Sequence, residues 1–215
     1  MKFRSKIIDK RFINTDTFVL VFEKGTLSFK AGQYIVLSFP NEKEAREYSV
    51  YSGENEPNLE ILLKTLPEGS FSMRLGDMNV GDTILIDGPF GFFVMKPDEI
   101  WSKPHVFVAS GTGISPFRSY IQTHPQMDYQ LLHGIRTVND RIEPNNYESD
   151  RLKYCISRED SAYFNGRVTD YLTKTKVNKE AVYHLCGNSA MINDVTELLE
   201  AGEIKPENIR TEVFF

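Results

Sequence analysis

The pattern of apolar residues changes near residue 95, and this change restricts the possible folds more than any other feature of the chain. Before it, short runs rich in β-branched and aromatic residues are separated by glycine-containing turns; they lie at residues 17–23, 33–39, 59–65 and 83–87. Such runs predict strands, and their spacing predicts a small antiparallel barrel or sandwich. One short helix is expected at residues 71–75, just before Gly76.

From His105 onward, strand-like runs alternate with stretches of helical periodicity. The strand-like runs lie at residues 105–109, 129–133, 153–157 and 182–186, and the last helical stripe stops at Gly202. Strands alternating with helices predict an α/β unit with a doubly wound parallel sheet. We therefore predict two domains, residues 1–97 and 98–215, because Pro97 and Pro104 mark a linker between the two patterns.

Composition excludes several classes of protein. The 215 residues include 25 Lys and Arg against 30 Asp and Glu, and this net charge of −5 argues against a nucleic-acid partner. The two cysteines, Cys155 and Cys186, cannot form a disulfide framework, a four-cysteine zinc site or a four-thiolate iron–sulfur cluster. With no apolar run of about 18 residues and no signal-peptide core, we expect a soluble cytoplasmic protein without a membrane partner.

A glycine-rich turn follows the first strand of the second half. Residues 110–117 read SGTGISPF, and two glycines let the backbone approach a pyrophosphate at the N-terminus of the next helix. Pro116 suits the first turn of a helix, where a missing N–H removes no hydrogen bond. An ordinary strand–helix turn is the alternative interpretation of this segment.

Two segments of the first half could form an anion site. Residues 46–49 read REYS, in which Arg46 can pair with a phosphate and Tyr48 offers a flat ring. Residues 69–75 read GSFSMRL and offer hydroxyls and free N–H groups at the start of a helix. The alternatives are an edge strand with a solvated arginine and a capped helix without a ligand.

Five motifs together resemble the ferredoxin–NADP reductase family. They are RxYS, GxxSxxL, GPFG at residues 88–91, GTGIxPF, and CGN at residues 186–188, and they occur in the family's order and spacing. The resemblance covers essentially the whole chain. It implies an FAD-binding Greek-key β-barrel followed by an NADP(H)-binding α/β domain.

The resemblance also implies how the first half holds FAD. Arg46 would bind the FAD pyrophosphate, Tyr48 would stack on the isoalloxazine ring, and Ser49 would lie near flavin N5. The strand residues that would run beside the flavin are Leu62, Leu63 and Lys64. The GxxS segment would add pyrophosphate contacts through Gly69, Ser70, Phe71 and Ser72.

In the second half, the resemblance implies an NADPH site. The pyrophosphate would lie on Gly111, Thr112 and Gly113. The 2′-phosphate would be held by one serine and three arginines, which are Ser157, Arg158, Arg136 and Arg167. Alternatively, these are surface arginines that face acidic neighbours such as Asp140, Glu159 and Asp160.

Four candidate catalytic residues follow from the resemblance, namely Ser49, Cys186, Glu212 and Phe214. Cys186 would orient the nicotinamide, Glu212 would relay protons, and Phe214 or Phe215 would cover the flavin until the nicotinamide displaces it. Judged alone, Cys186 is a buried thiol and the C-terminal EVFF is a final buried strand.

The implied reaction is hydride transfer between NADPH and FAD, followed by transfer of single electrons to or from a separate carrier such as ferredoxin or flavodoxin. Basic residues that could dock an acidic carrier are Lys2, Arg4, Lys6, Lys10, Arg11 and Arg74. Those near the N-terminus could instead guard the edge of a solvated first strand. Other functions left open are a reductase for free flavin or for an oxygenase partner, and a non-catalytic nucleotide-binding module.

Overall fold

The structure is a computed structural model that describes residues 2–66 and 70–214, apart from the side chain of Ser70. Two predicted cofactor-binding residues, Gly69 and Phe215, therefore lie outside the described residues. The chain divides into two compact units, Met1–Val94 with Ser115–Pro125 and Met95–Ile114 with Gln126–Phe215. The boundary between residues 97 and 98 stays a prediction.

The first unit contains an antiparallel sheet that closes into a barrel. Its elements are β1 Lys2–Phe12, β2 Thr17–Glu23, β3 Tyr34–Ser38, β4 Ala45–Ser49, β5 Asn58–Lys64, α1 Ser70–Asp77 and β6 Thr83–Phe90. The sheet order is β4-β3-β6-β1-β2-β5, and a bridge between Val50 and Ile61 joins the two end strands. Because β6 returns to lie beside β3, strands β3 to β6 form the predicted Greek key.

Alternating apolar side chains fix the register of the barrel. The inward positions of β2 and β5 are fully or almost fully buried in one core cluster, with Phe18, Leu20 and Phe22 from β2 and Leu59, Ile61 and Leu63 from β5. A one-residue slip would turn this whole set outward, so the pairing is strongly specified. The register therefore also fixes which residues of β5 face away from the core, among them Leu62 and Lys64.

The first strand lies between two neighbours in the sheet order, but each half of it pairs on one side only. β1 pairs with β2 on one side and with β6 on the other. Its partners in β6 are some 80 residues away along the chain, with Lys2 opposite Asp87. β6 pairs with residues 2–6 and β2 pairs with residues 7–12, so the interpretation that Lys2, Arg4 and Lys6 guard a strand edge stays open.

The second unit contains the predicted parallel sheet. Its strands are β7 His105–Ser110, β8 Tyr129–Ile135, β9 Leu152–Ile156, β10 Phe164–Asn165, β11 Val182–Gly187 and β12 Ile209–Val213. All are parallel, in the order β10-β9-β8-β7-β11-β12. The chain therefore reverses its direction of winding between β7 and β11. In open parallel sheets, such a switch point is where ligands bind, at the carboxyl ends of the strands.

Three helices accompany these strands, α2 Ser115–Thr123, α3 Val168–Lys174 and α4 Ser189–Ala201. α4 is capped at both ends: the Asn188 side chain accepts a hydrogen bond from the Met191 N–H at 2.9 Å, and Gly202 forms the C-cap. This confirms the predicted end of the last apolar stripe at Gly202. No helix in residues 2–66 and 70–214 is long and apolar enough to cross a bilayer.

Helix α2 follows the glycine-rich turn but belongs to the same compact unit as the barrel. Its Arg118 is buried and donates hydrogen bonds to the Tyr51 carbonyl at 2.9 Å and to the Glu56 carboxylate at 2.9 and 3.2 Å. The Ser119 hydroxyl donates to the Ser52 carbonyl at 2.6 Å. A buried arginine needs such partners, because burying an unpaired charge is strongly unfavourable.

Candidate active site

The segment REYS forms β4, and its side chains alternate across the strand. Arg46 and Tyr48 share one face, with Arg46 exposed and Tyr48 half-buried, whereas Ser49 is buried at the end of the strand. β4 meets β5 through the Val50–Ile61 bridge. The predicted flavin-binding residues of β4 and β5 are thus brought together where the barrel closes.

An aromatic cluster lies beside β4. The rings of Tyr48 and Phe71 are stacked with centroids 6.4 Å apart, and the rings of Phe39 and Phe71 are 5.0 Å apart. Burial raises the pKa of Tyr48 to about 12, so its hydroxyl stays protonated at neutral pH. A neutral, partly exposed ring of this kind fits the stacking role expected for an isoalloxazine.

Two arginines border this cluster, and carboxylates of the preceding loop pair with both. Arg46 contacts Glu44 at 2.9 Å, and Arg74 forms two hydrogen bonds with Glu42, at 2.8 and 2.5 Å. Glu44 also lies 3.7 Å from Arg74. The Arg74 guanidinium sits 3.9 Å from the centre of the Phe39 ring. Cations over aromatic rings suit a site for a flavin and its phosphates.

The other predicted flavin contacts differ in what they can offer. Leu62 and Leu63 are buried, so their backbone is the part a ligand can reach, whereas Lys64 forms an ion pair with Asp16 at 3.0 Å. In the GxxS segment, the Ser72 hydroxyl accepts a hydrogen bond from the Leu66 N–H at 3.2 Å. Phe71 belongs to the aromatic cluster, while Gly69 and the Ser70 side chain are outside the described residues.

At the switch point of the parallel sheet, the glycine-rich turn packs directly on the end of β11. A Cβ on Gly113 would overlap the carbonyl of Cys186, and a Cβ on Gly187 would overlap Ser110. Gly187 also has a φ of +138°, which side chains other than glycine rarely tolerate. The two segments therefore pack against each other so closely that no side chain larger than that of glycine fits at either position.

Polar side chains hold the glycine-rich turn in place. The Ser110 hydroxyl accepts hydrogen bonds from the Asn188 N–H at 3.1 Å and from its side-chain amide at 2.8 Å. His133 lies 2.9 Å from the Gly111 carbonyl. Burial lowers the pKa of His133 to about 4, so the imidazole is neutral and its Nε2–H donates to that carbonyl.

The structure brings three of the four predicted catalytic residues together. Glu212 in β12 is the register partner of Cys186 in β11, and the Phe214 N–H donates to the Gly187 carbonyl at 2.8 Å. Burial, together with the charge of Glu212, raises the pKa of Cys186 well above that of a free thiol. The neutral thiol fits a positioning role and not nucleophilic attack. β12 is a partly exposed strand at the sheet edge, so the alternative of a final buried strand is wrong.

Three predicted 2′-phosphate ligands lie at the carboxyl end of the same sheet. Arg136 follows β8, Arg158 follows β9, and the Arg158 N–H donates to the Arg136 carbonyl at 2.9 Å. Arg167 precedes α3, and all three side chains are exposed. Their guanidinium groups form no ion pair within residues 2–66 and 70–214. Ser157, next to Arg158, is exposed, and its hydroxyl donates to the Ile135 carbonyl at 3.2 Å.

Two of the three acidic neighbours, Asp140 and Glu159, bond to backbone N–H groups. Asp140 accepts from the Thr137 N–H at 2.9 Å, and Glu159 accepts from the Val138 N–H at 2.5 Å. The alternative that acidic neighbours neutralise these arginines therefore loses support. An exposed cluster of unpaired arginines fits a phosphate dianion.

Comparisons with known proteins agree with both units. Residues 4–95 match the family model of the oxidoreductase FAD-binding domain, and residues 107–197 match that of the oxidoreductase NAD-binding domain. The two matches together cover most of the chain. The chain belongs to the ferredoxin–NADP reductase family. It is a flavoprotein oxidoreductase with domains for FAD and for a nicotinamide nucleotide.

Similar proteins include reductase components of oxygenases. The toluate 1,2-dioxygenase electron transfer component of Pseudomonas putida is 28% identical, over 99% of this chain and 67% of that protein. The reductase component of propane 2-monooxygenase from Rhodococcus jostii is 29% identical, over 89% of this chain and 57% of that protein. The chain thus spans about three fifths of the length of most curated relatives it matches.

Solved structures show the same fold. A ferredoxin NADP+ reductase from Neisseria gonorrhoeae with bound FAD and NADP has a TM-score of 0.88 at 24% identity, covering 100% of this chain and 99% of that one. A cytochrome P450 reductase from Amycolatopsis has a TM-score of 0.87, also at 24% identity, covering 100% of this chain and 70% of that one.

Three residues that contact the glycine-rich turn of this reductase were not among the sequence-predicted site residues. They are Ser110, His133 and Asn188: His133 bonds to the Gly111 carbonyl, and Ser110, the first residue of the turn, accepts hydrogen bonds from Asn188, which follows β11. One signal could have identified His133: it is a buried polar residue near the carboxyl end of β8, directly after Leu131 and Leu132. Ser110 and Asn188 were visible only as parts of longer motifs.

The predicted basic cluster of the reductase divides into two groups. Lys2, Arg4 and Lys6 lie on the exposed face of β1, which is three strands away from β4 in either direction around the barrel. Lys10 bonds to the Gly76 carbonyl, and Arg11 holds Glu60 through two hydrogen bonds of 2.9 and 3.0 Å. The exposed row is thus remote from the candidate flavin strand, which argues against it as the docking surface for an electron carrier.

Proposed function

We propose that this chain transfers a hydride between NADPH and FAD and passes single electrons to a separate carrier. The observation that carries the proposal is the junction at the switch point, where the glycine-rich turn packs on Cys186 and Gly187. It supports a nicotinamide site because a bound nucleotide could contact the turn and the thiol together. FAD, when bound, supplies the change from two-electron to one-electron chemistry.

The protein's own residues would orient the reactants. Tyr48 would provide the stacking surface for the flavin, and Ser49 would offer its hydroxyl near flavin N5. On the nucleotide side, the Cys186 thiol would restrict the nicotinamide, since a neutral sulfur packs without reacting. Positioning of this kind supplies much of the rate in a direct hydride transfer, because the reacting atoms must be in contact.

Two C-terminal residues would complete the nicotinamide side. Glu212 lies in register with Cys186, which supports the expected role of its carboxylate in relaying protons. The backbone bond from Phe214 to Gly187 ties the C-terminal aromatic residue to the same junction. This supports the expectation that the Phe214 ring covers the flavin and moves aside for the nicotinamide.

NADPH is the proposed nucleotide because three arginines at the carboxyl end of the parallel sheet form no ion pair with the described residues. Arg136, Arg158 and Arg167 offer positive charge without competing carboxylates, whereas a site for NADH would use a carboxylate to hold the ribose hydroxyls. Ser157 adds a hydroxyl beside Arg158. These residues together would hold the 2′-phosphate.

The proposed carrier is a ferredoxin or flavodoxin, and the proposed location is the cytoplasm. Cys155 and Cys186 are both buried free thiols, so a four-thiolate cluster would have to lie outside these 215 residues. A second candidate is a reductase component for an oxygenase. It is favoured by the names of the relatives, which include the electron transfer component of toluate 1,2-dioxygenase.

The test is anaerobic mixing of the FAD-loaded protein with NADPH. We expect the yellow flavin absorbance to bleach, and more rapidly with NADPH than with NADH. Subsequent addition of ferredoxin, flavodoxin or an oxygenase component would identify the acceptor. As a control, Cys186→Ala should keep its FAD but reduce it about tenfold more slowly, because the nicotinamide is less well oriented. A protein that ignores FAD, or FAD that resists both nucleotides, would contradict the proposal.

A further inference from the structure

Arg74 is not among the residues proposed above to bind FAD, yet it lies beside the candidate flavin site. It lies in the last turn of α1, and its guanidinium is held 3.9 Å from the centre of the Phe39 ring. Phe39 contacts Phe71, which stacks on Tyr48 of the candidate flavin strand. Arg74 is therefore connected through aromatic contacts to the ring expected to hold the flavin.

Arg74 and Arg46 share one carboxylate. Glu44 lies 2.9 Å from Arg46 and 3.7 Å from Arg74, while Glu42 forms two hydrogen bonds with Arg74. A single carboxylate that reaches both guanidinium groups shows that the two cations converge. Converging arginines with planar donor groups suit an anion with several oxygen atoms, such as a pyrophosphate.

The charges of this cluster also balance. Two guanidinium groups face two carboxylates, and a doubly charged pyrophosphate could replace those carboxylates without leaving net charge behind. The side chains are 30–57% exposed, so water and salt screen their ion pairs. Exposed pairs of this kind contribute little to stability and are therefore readily exchanged. The hydrogen bonds from Arg74 lower the pKa of Glu42, which keeps that carboxylate charged at neutral pH.

We infer that Arg46 and Arg74 together bind the pyrophosphate of FAD, and that Glu42 and Glu44 compete with it for the two arginines. This inference rests on the proposed flavin site and adds to it a second phosphate-binding cation and two residues that weaken flavin binding. The glutamates thereby make FAD easier to release than the arginines alone would allow.

The experiment compares the affinities for FAD and for riboflavin, measured by quenching of flavin fluorescence with the full chain. Riboflavin has the same ring but no phosphate, so it reports on the stacking site alone. Arg74→Gln should weaken FAD binding about tenfold, the size of one charge-assisted hydrogen-bonded contact. Glu42→Gln should strengthen it about threefold, as expected for removal of an exposed competing charge. Neither change should alter riboflavin affinity.

The matched control is Glu47→Gln, which removes the same charge from an exposed position on the opposite face of β4 from Arg46. It should leave FAD affinity unchanged. A double variant completes the test: once Arg74 is Gln, the further change Glu42→Gln should have no effect, because the competitor has lost its target.

Three outcomes would overturn the inference. They are unchanged FAD affinity in Arg74→Gln, weaker FAD binding in Glu42→Gln, and equal weakening of FAD and riboflavin, which would show that the cluster only fastens α1 to the loop. If the unaltered protein binds neither flavin, the proposed flavin site itself is wrong, and this result is distinct from the other three.

Discussion

The barrel and the parallel sheet both present arginines to a candidate phosphate site, but they leave these arginines in opposite states. In the barrel, Arg46 and Arg74 are paired with the glutamates of one loop, at 2.9 Å for Glu44 and at 2.8 and 2.5 Å for Glu42. A phosphate that binds there has to displace a carboxylate. Part of its binding energy is therefore offset.

In the parallel sheet, two of the neighbouring acids accept hydrogen bonds from the backbone. Asp140 and Glu159 accept hydrogen bonds from the N–H groups of Thr137 and Val138, so the exposed arginines meet a phosphate unopposed. The difference shows that the number of basic residues does not define a phosphate site. The availability of an arginine to phosphate depends also on whether nearby carboxylates bond to the arginine or to other donors.

The largest expected effect tests whether an arginine at the carboxyl end of the parallel sheet binds the 2′-phosphate. Arg158→Ala should raise the KM for NADPH by about 10- to 100-fold, the range for loss of a charge-assisted contact to phosphate. The KM for NADH should change little, because NADH has no 2′-phosphate. Steady-state reduction of an artificial acceptor with each nucleotide would measure both constants.

The control for this change is Lys176→Ala, which removes an exposed cation just beyond the far end of α3. It should leave the KM for NADPH and the KM for NADH unchanged. If Arg158→Ala raised the KM for NADPH and for NADH equally, the arginine would not bind the 2′-phosphate. The contrast between the two regions would then have no bearing on nucleotide binding.

A second difference between the regions concerns acid. The first histidine of the sequence is His105, and the parallel sheet buries three, His105, His133 and His184, whose pKa values are all lowered by burial. For His133 the pKa is about 4 in the folded protein, against about 6.5 in the unfolded chain. Between these values the unfolded state binds more protons, so stability falls as the pH falls.

Lowering the pH from about 7.5 to about 5.5 should therefore cost about 1.4 kcal/mol of unfolding free energy for His133 alone. Hydrogen exchange followed by mass spectrometry would locate the loss, which should appear in peptides of β7, β8 and β11 before those of β1 to β3. His133→Gln keeps a donor for the Gly111 carbonyl. Over the same change of pH, its unfolding free energy should fall by about 1.4 kcal/mol less than that of the unaltered protein. Equal losses in both proteins would refute this assignment.

The smallest expected effect concerns salt. Raising the ionic strength from about 0.05 M to about 0.5 M should weaken NADPH binding about fivefold, because unpaired exposed charges are fully screened. FAD binding should weaken only about twofold, since salt screens the competing glutamates as well as the phosphate. Titrations of both ligands across this range would give, for each, the slope of the logarithm of Kd against the logarithm of the salt concentration. A steeper slope for FAD would reverse the ranking of the two sites.

The fold could be predicted largely because its signals are local. The run of β-branched and aromatic residues at 17–23 and the apolar stripe that stops at Gly202 depend only on neighbours in the sequence. The place of β1 between β2 and β6 could not be predicted in this way, because Lys2 meets Asp87 through pairing over a long sequence separation. Strand pairing of that range leaves no periodic trace in either segment.

The candidate site likewise contains residues that the sequence predicts and contacts that only the structure shows. The family resemblance predicted Cys186 and Arg158 as site residues, and both lie at or just beyond the carboxyl end of a parallel strand, where such ends converge. The link between Arg74 and Glu42 joins residues 32 positions apart across an exposed loop. Neither residue carries a motif that predicts the other, so the competition at the barrel site was visible only in three dimensions.

The anchoring of α2 has a consequence for how such chains can be rearranged. Arg118 is the buried partner of Glu56, and it also lies 3.6 Å from Glu60, whose side chain is only 12% exposed. A barrel transplanted as one uninterrupted stretch of gene would lose Arg118, so Glu56 would lose its ion pair with that residue and, among the described residues, Glu60 would keep only Arg11. Recombination that exchanges flavin modules between enzymes of this kind must therefore carry two separate stretches of coding sequence, or replace the helix with an equivalent one.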